Sequence, residues 1–399
     1  MMRPAGSPGI RRIRVSLLAT GLALVVALPG PGSAQSLFSA GGLGVPTGAA
    51  DARARMVGGV GLGLPGGYFS PTDPAAAGWV LLPGISATME SGTESFNGGE
   101  TSGRTRFPSF GIVYPYGGNV YTAGFTGLLS QEWRSEVNRV IDFGDGLLVD
   151  AMDRFQSEGG IGSAQVGVAR RFGSALSVGV NGGLYLGSVE RRFERELDPT
   201  DVGPEVEFFS TRGAWRAQGN SVTASASWEP SSTIRVGAGA TWSGDLTLEP
   251  QGNTTGSAVV VPLPLELRFG GFVTLTPGLG LAVSVSRADW SEAAAAMEDA
   301  GSPGTVVRWG VGGEWNAGTL RGRRVPMALG YRGGDLPFSF LGAAASESAL
   351  TGGFGIHLAE TDGIPLALVE LGFERGSRQA EGAEEDFFRT TVTFRISGR

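Results

Sequence analysis

After residue 78 the sequence becomes a series of short segments in which apolar and polar residues alternate one by one, joined in turn by long acidic loops and tight Gly, Pro or Asn turns. Successive side chains of a strand point to opposite faces, so this period of two specifies strands. Sorting long and short connections to opposite ends is what an antiparallel barrel in a bilayer requires, because one end needs only hairpin turns. The last segment is the clearest case. Phe388, Thr390, Val392, Phe394 and Ile396 share one face, and Arg389, Thr391, Thr393, Arg395 and Ser397 share the other. Arg side chains are costly in lipid, which assigns them to a wet lumen and the Phe/Val/Ile face to the acyl chains.

The same design recurs in about fourteen segments: 80–90, 104–115, 119–130, 160–171, 175–191, 214–228, 233–248, 257–275, 279–290, 305–315, 324–333, 350–359, 364–375 and 387–397. Each meets the roughly 9–11 residues a tilted membrane strand needs. In segment 214–228, Arg216, Gln218 and Asn220 share parity with Val222 and Trp228, which predicts a bulge at Gly219. Long loops are expected at 91–103, 131–159, 192–213, 249–256, 291–304, 334–349 and 376–386, with helical spacing in 131–159 at Val137, Val140 and Ile141. An even strand number with short turns on one side predicts both termini on that side, the periplasm of a Gram-negative-type cell.

No apolar run reaches the roughly 20 residues of a membrane helix, so helical spans are excluded. Arg3, Arg11, Arg12 and Arg14 precede an apolar stretch (15–28), helix-breaking Pro29-Gly30-Pro31, and small Gly32 and Ala34 at signal-peptidase spacing. Residues 1–34 therefore read as an export signal cut after Ala34. The chain has no Cys, which leaves neither a lipid anchor nor a disulfide. Losing those four Arg takes the formal charge from −7 to −11, a poor balance for binding nucleic acid. Every basic residue is Arg, which a GC-rich genome explains more simply than recognition chemistry. The 68 Gly fall at strand parity opposite apolar residues, as at Gly237 and Gly239, leaving inner space for a plug or a ligand.

Residues 35–78 lack strand periodicity and form a separate segment ahead of the barrel at 79–399. They contain Asp51-Ala52-Arg53-Ala54-Arg55-Met56, the Gly-rich run 58–67, and Asp73-Pro74-Ala75. Here the chain resembles the FadL/PorV-like outer-membrane proteins, which carry an Ala-Arg-Ala-Met-Gly-Gly-like stretch and an Asn-Pro-Ala motif before the first strand. Asp73 stands where that motif has Asn. The resemblance continues through Leu329-Gly330-Tyr331-Arg332, Leu336-Pro337-Phe338-Ser339, the run 350–355 and the closing strand. It implies an all-β, transmembrane antiparallel barrel of about fourteen strands with an N-terminal lumenal plug. It also implies uptake of hydrophobic or amphipathic small molecules, as in long-chain fatty acid transporters, with outer-membrane lipid and the barrel-assembly machinery as partners. Such barrels commonly end on an aromatic residue, whereas this chain continues to Ser397-Gly398-Arg399.

Several constellations carry weaker chemistry. Gly61-Leu62-Gly63-Leu64-Pro65-Gly66 matches a dinucleotide fingerprint, but no strand precedes it and Pro65 blocks the helix. Asp142, Asp145, Asp150 and Asp153 lack the spacing of a calcium loop and read as a solvated acidic loop. The single histidine, His357, has inward parity and no Ser-containing motif beside it, so no catalysis, cofactor or metal is expected. Arg308, Glu314, Arg332, Glu370, Glu374, Arg389 and Arg395 share inward parity, with Leu366 and Leu368 beside Glu370. Paired charges stiffening the wall and a path for a greasy ligand with a polar head are the two readings of that set. Beside the transporter, a PorV-like assembly or secretion adaptor and a water-filled porin remain open.

Overall fold

The computed structural model describes residues 36–48, 51–99, 101–144, 148–198, 209–297, 301, 304–361 and 364–398. The expected export signal and its cleavage site lie outside them. β1 (Gly84–Phe96), β2 (Thr101–Tyr116), β3 (Asn119–Ser130), β4 (Leu148–Phe172) and β5 (Leu176–Leu197) lead into β6 (Phe209–Ser231) and β7 (Ile234–Ser243). β8 (Glu266–Thr276), β9 (Leu279–Asp289), β10 (Thr305–Leu320), β11 (Arg323–Asp335), β12 (Ser346–Thr361), β13 (Ile364–Ala380) and β14 (Ala383–Ser397) complete the wall. Each pairs antiparallel with its neighbours, and β14 pairs with β1 from Glu385↔Phe96 to Ser397↔Gly84, which closes a fourteen-stranded barrel. All the expected strands are present, and no described helix is long and apolar enough to cross a membrane.

The two faces fall as the alternation requires. Val178, Val180, Val236, Val283, Val311 and Leu329 stand exposed on the outside, whereas Ser177, Thr223, Gly237, Ala282, Gly312 and Thr351 point inward. An apolar belt of this extent is tolerated only against lipid.

Several expected loops are strand instead. The described residues of 131–159 hold no helix, because Trp133–Asp142 forms a strand against β4, with Trp133↔Ser157 and Asp142↔Leu148 at its ends. β4, β5 and β6 run 25, 22 and 23 residues, about twice what crosses a bilayer, so their outer halves rise above the apolar belt. There Arg154 pairs with Glu196 (3.0 Å) and Arg134 with Glu136 (2.7 Å) on the outward face. The same extension corrects the bulge expected at Gly219. The β5–β6 register is unbroken through Gly219; outward Arg216 stands opposite Ser188 in the outer part of β6, and outward Asn220 stands opposite exposed Leu184. Instead, the partner of β6 changes from Leu246–Gln251 to β7 at this level. The loop expected at 376–386 shrinks to a turn at Glu381-Gly382, and β10 continues past the expected end at 315 to a turn at Arg321-Gly322, both residues of which have positive φ.

Residues 36–79 lie inside the wall. Ser36 donates to Glu385 Oε1 (2.9 Å) at the long-loop end. At the other end Trp79 lies against the guanidinium groups of Arg171 and Arg235 (5.2 and 4.5 Å). The start of β1 and the end of β14 share the short-turn end, as the even strand number requires. Ser36, where the described chain begins, lies at the opposite end, because the segment before β1 runs along the lumen.

The belt assignment has a direct check. Val283→Arg, on the outward face in mid-strand, should cost ~2–4 kcal/mol in lipid, whereas Arg216→Leu on outer β6 should leave stability unchanged. Urea titration of heat-modifiable gel mobility in lipid vesicles measures both.

Candidate functional site

The lumen-crossing segment is fixed by backbone, hydroxyl and charge contacts in turn. Asp51 accepts from Ala54 N (2.8 Å) and caps a one-turn helix, α1 (Ala52–Met56). The alternation of Ala and Arg in that turn sends Arg53 to Glu314 (2.8 Å) and Arg55 to both Glu90 and Glu374 (2.7 Å each). Thr393 Oγ1 accepts from Ala52 N (2.8 Å), and Thr351 Oγ1 both accepts from Gly58 N (3.0 Å) and donates to Met56 O (2.9 Å). Where the chain turns at Gly58, which has positive φ, the wall opposite is Gly310 and Gly330, and Gly312 backs Val57. Any side chain there would strike the segment's backbone.

Lower down, Ser225 Oγ donates to Asp73 Oδ1 (2.8 Å) and accepts from Ala75 N (2.8 Å), while Ser177 Oγ donates to Ala75 O (2.7 Å). Gly179 leaves room for Pro74. The Asp-Pro-Ala motif is thus held by two wall serines, and Gly63 N also donates to the Asp73 carboxylate (3.3 Å).

Arg332 contacts Glu347 (2.5 Å) and Glu374 (2.8 Å), Arg389 contacts Glu94 (3.5 Å), and Arg395 contacts Asp51 and Glu370 (3.3 Å each). Arg308 lies apart, on Glu266 (3.1 Å). His357 Nδ1 is 3.2 Å from Glu360, with Leu368 as its cross-strand partner, and Leu366 lies farther along β13 towards the short-turn end. The expected residues therefore belong to more than one place. Arg332, Glu370, Arg389 and Arg395 join a buried network, Glu314 anchors α1, and His357, Leu366 and Leu368 sit apart from both.

Most of that network was not singled out from the sequence. Glu90 meets Arg106 (2.7 Å), Glu94 meets Arg104 (3.0 Å), and Arg378 meets Glu347 (2.7 Å) and Glu385. The Phe387 ring lies under Arg389 at 4.1 Å and Arg378 at 5.2 Å. Inward parity of Glu90 and Glu94 facing Arg104 and Arg106 across one hairpin is the signal that marks them.

A cavity of about 290 Å³ lies between the segment and the wall. Towards the long loops it is lined by Leu128, Leu263, Trp290 and Leu336; deeper, by Thr223, Thr241, Ser284, Ser286, Arg268 and Arg308. The segment contributes Thr47, Leu62, Tyr68 and Thr72. Of the expected residues, Arg308, Arg332 and Glu374 line this space. The fingerprint-like run 61–66 borders this space at Gly61 and Leu62 and then folds against the wall, with Leu64 O accepting from Arg235 (2.7 Å).

No family model matches the sequence, and no curated protein matches it. Solved structures do. The CymD monoaromatic hydrocarbon channel superposes with a TM-score of 0.55 at 13% identity, covering 88% of this chain and 98% of that one. The toluene transporter TodX of P. putida gives 0.55 at 12%, covering 88% and 99%. A Pseudomonas aeruginosa FadL homologue gives 0.55 at 10%, covering 88% and 98%. The fold is FadL-like. At these identities the likeness carries the architecture, and what the FadL-like lumen of this chain does rests on its own residues.

Removing one partner from a buried ion pair costs about 3–5 kcal/mol, far more than removing a partly exposed one. Arg55→Met, which strips Glu90 and Glu374 of a buried partner, should therefore destabilise the folded barrel much more than Arg53→Met. Denaturant midpoints in micelles measure the difference.

Proposed function

We propose that this barrel is an outer-membrane conduit for uptake of hydrophobic or amphipathic small molecules, closed towards the periplasm by residues 35–78. The observation that carries the reading is the cavity of about 290 Å³ held between the long loops and a segment bonded to both sides of the wall. A space at the lower end of the ~300–1,000 Å³ of ligand sites, with apolar and hydrogen-bonding linings, suits a small amphipathic guest. Named neighbours of the same fold, a toluene transporter and a monoaromatic hydrocarbon channel, support small apolar or aromatic cargo.

In this reading the long loops face outward and the short turns face the periplasm. Ligand enters between the loops, rests above Leu62 and Tyr68, and passes on when the segment shifts. The wall hydroxyls that hold Ala52, Gly58 and Ala75 make that shift reversible, because water can replace each neutral hydrogen bond at little net cost. A long-chain acyl tail outsizes the cavity, so the guest is compact.

Deleting residues 35–78 while keeping the export signal should raise conductance in planar bilayers and abolish selectivity for hydrophobic solutes. A deletion protein that inserts normally, conducts no better than the parent and retains uptake would contradict the reading and favour a protein-holding adaptor.

A further inference from the structure

The cavity is two-sided in a way that the named neighbours' bare hydrocarbon cargo does not call for. Its apolar side is made by Leu128, Leu263, Trp290 and Leu336 near the long loops. Its deeper side is rich in hydroxyls, and several of them are unused. Among the described residues the hydroxyls of Ser284 and Ser286, neighbours in register on β9, make no hydrogen bond. Tyr68 enters from the segment, is 6% exposed, and its hydroxyl has no partner. Beside them Thr241 accepts from Arg268 (2.8 Å) and shares a hydrogen bond with Thr223 (2.9 Å). Arg268 and Arg308 both lean on one carboxylate, Glu266 (2.5 and 3.1 Å).

Ser284 and Ser286 are half-buried, so their hydroxyls rely on water for the hydrogen bonds the protein does not supply. A purely apolar ligand would drive water from these hydroxyls and return nothing, whereas a ligand carrying its own hydroxyl would pair with them. We infer that the cavity selects a small hydroxylated amphiphile, its apolar body against Trp290, Leu263 and Leu336 and its hydroxyl on Ser284 and Ser286. This rests on the uptake reading above and narrows its cargo to alcohol- or phenol-type compounds. The discrimination expected is of the kind that polar sites impose on analogues lacking the hydroxyl, and it is stronger than that from one methylene in an apolar pocket. Two guanidinium groups balanced by a single Glu266 reinforce it, since their remaining donors favour an oxygen acceptor over a ring edge.

The test is calorimetric titration of the full mature protein in detergent with benzyl alcohol and with toluene, each referred to its free aqueous concentration and blanked against empty micelles. Benzyl alcohol should bind at least about tenfold more tightly. In the Ser284→Ala/Ser286→Ala variant that advantage should fall to within about threefold, with toluene affinity unchanged. Because these hydroxyls hold nothing in the wall, the variant should keep the parent's heat-modifiable mobility, which confirms its fold. Toluene binding as tightly as benzyl alcohol in the parent would overturn the hydroxyl selection and leave the uptake reading standing. Binding of benzyl alcohol unaltered by the double substitution would overturn the assignment to β9. Binding of neither compound would overturn the uptake reading itself, and the inference with it.

Discussion

A barrel lumen has to be filled or wetted, and here the filling depends on charges buried together with their partners. Arg55 is 1% exposed and joins α1 to Glu90 on β1 and Glu374 on β13. Those carboxylates are in turn held by Arg106 and Arg332. Taking such groups out of water is expensive, and the cost is offset only when every member has a partner in good geometry. The chain before β1 is therefore part of the wall's electrostatic balance: without Arg55, Glu90 and Glu374 lose the one cation they share and keep only Arg106 and Arg332 respectively. Charge along the wall in turn dictates where a segment with no strand periodicity can lie.

Glycine supplies the other half of the arrangement. The segment's backbone comes close enough to Gly310, Gly312 and Gly330 that no side chain fits between, and the hydroxyls of Thr351, Thr393 and Ser225 bond its exposed amides. A wall built of Val or Leu at those inward positions would push the segment towards the axis and strip it of these bonds. The space left over collects on the long-loop side, which is why the cavity has segment residues as its floor and loop residues as its roof.

Much of this was legible in the alternation. It located every barrel strand and both faces, because one residue of slip exchanges lipid and lumen for the whole strand. It failed where alternation continues in charged residues. Arg134, Glu136, Arg154 and Arg192 look like a loop by composition yet form paired strands above the apolar belt. The expected helical turns around Val137 and Ile141 failed for the same reason, since cross-strand pairing with Asp153 and Val149 overrides a spacing that fits either period. The path of residues 36–79 was not legible, because Gly-rich chain takes its shape from the groove that receives it. Asp73-Pro74-Ala75 shows the limit: the motif located the segment's return to the wall, but only the fold reveals that Ser225 and Ser177 receive it. The expected inward charges are all paired, yet Arg308, Arg332 and Glu374 border the cavity while Arg389 and Arg395 do not, a distinction that parity alone does not contain.

Seating of the segment against the wall glycines is the claim on which the rest depends, and planar-bilayer conductance of Gly312→Leu beside Gly313→Leu tests it most directly. Gly312 faces the backbone of Val57, whereas Gly313 faces outward towards Leu281. A leucine at 312 should displace the segment and open a conductance that the leucine at 313 does not. Equal, parent-like conductance from two correctly inserted variants would contradict a lumen closed by this segment.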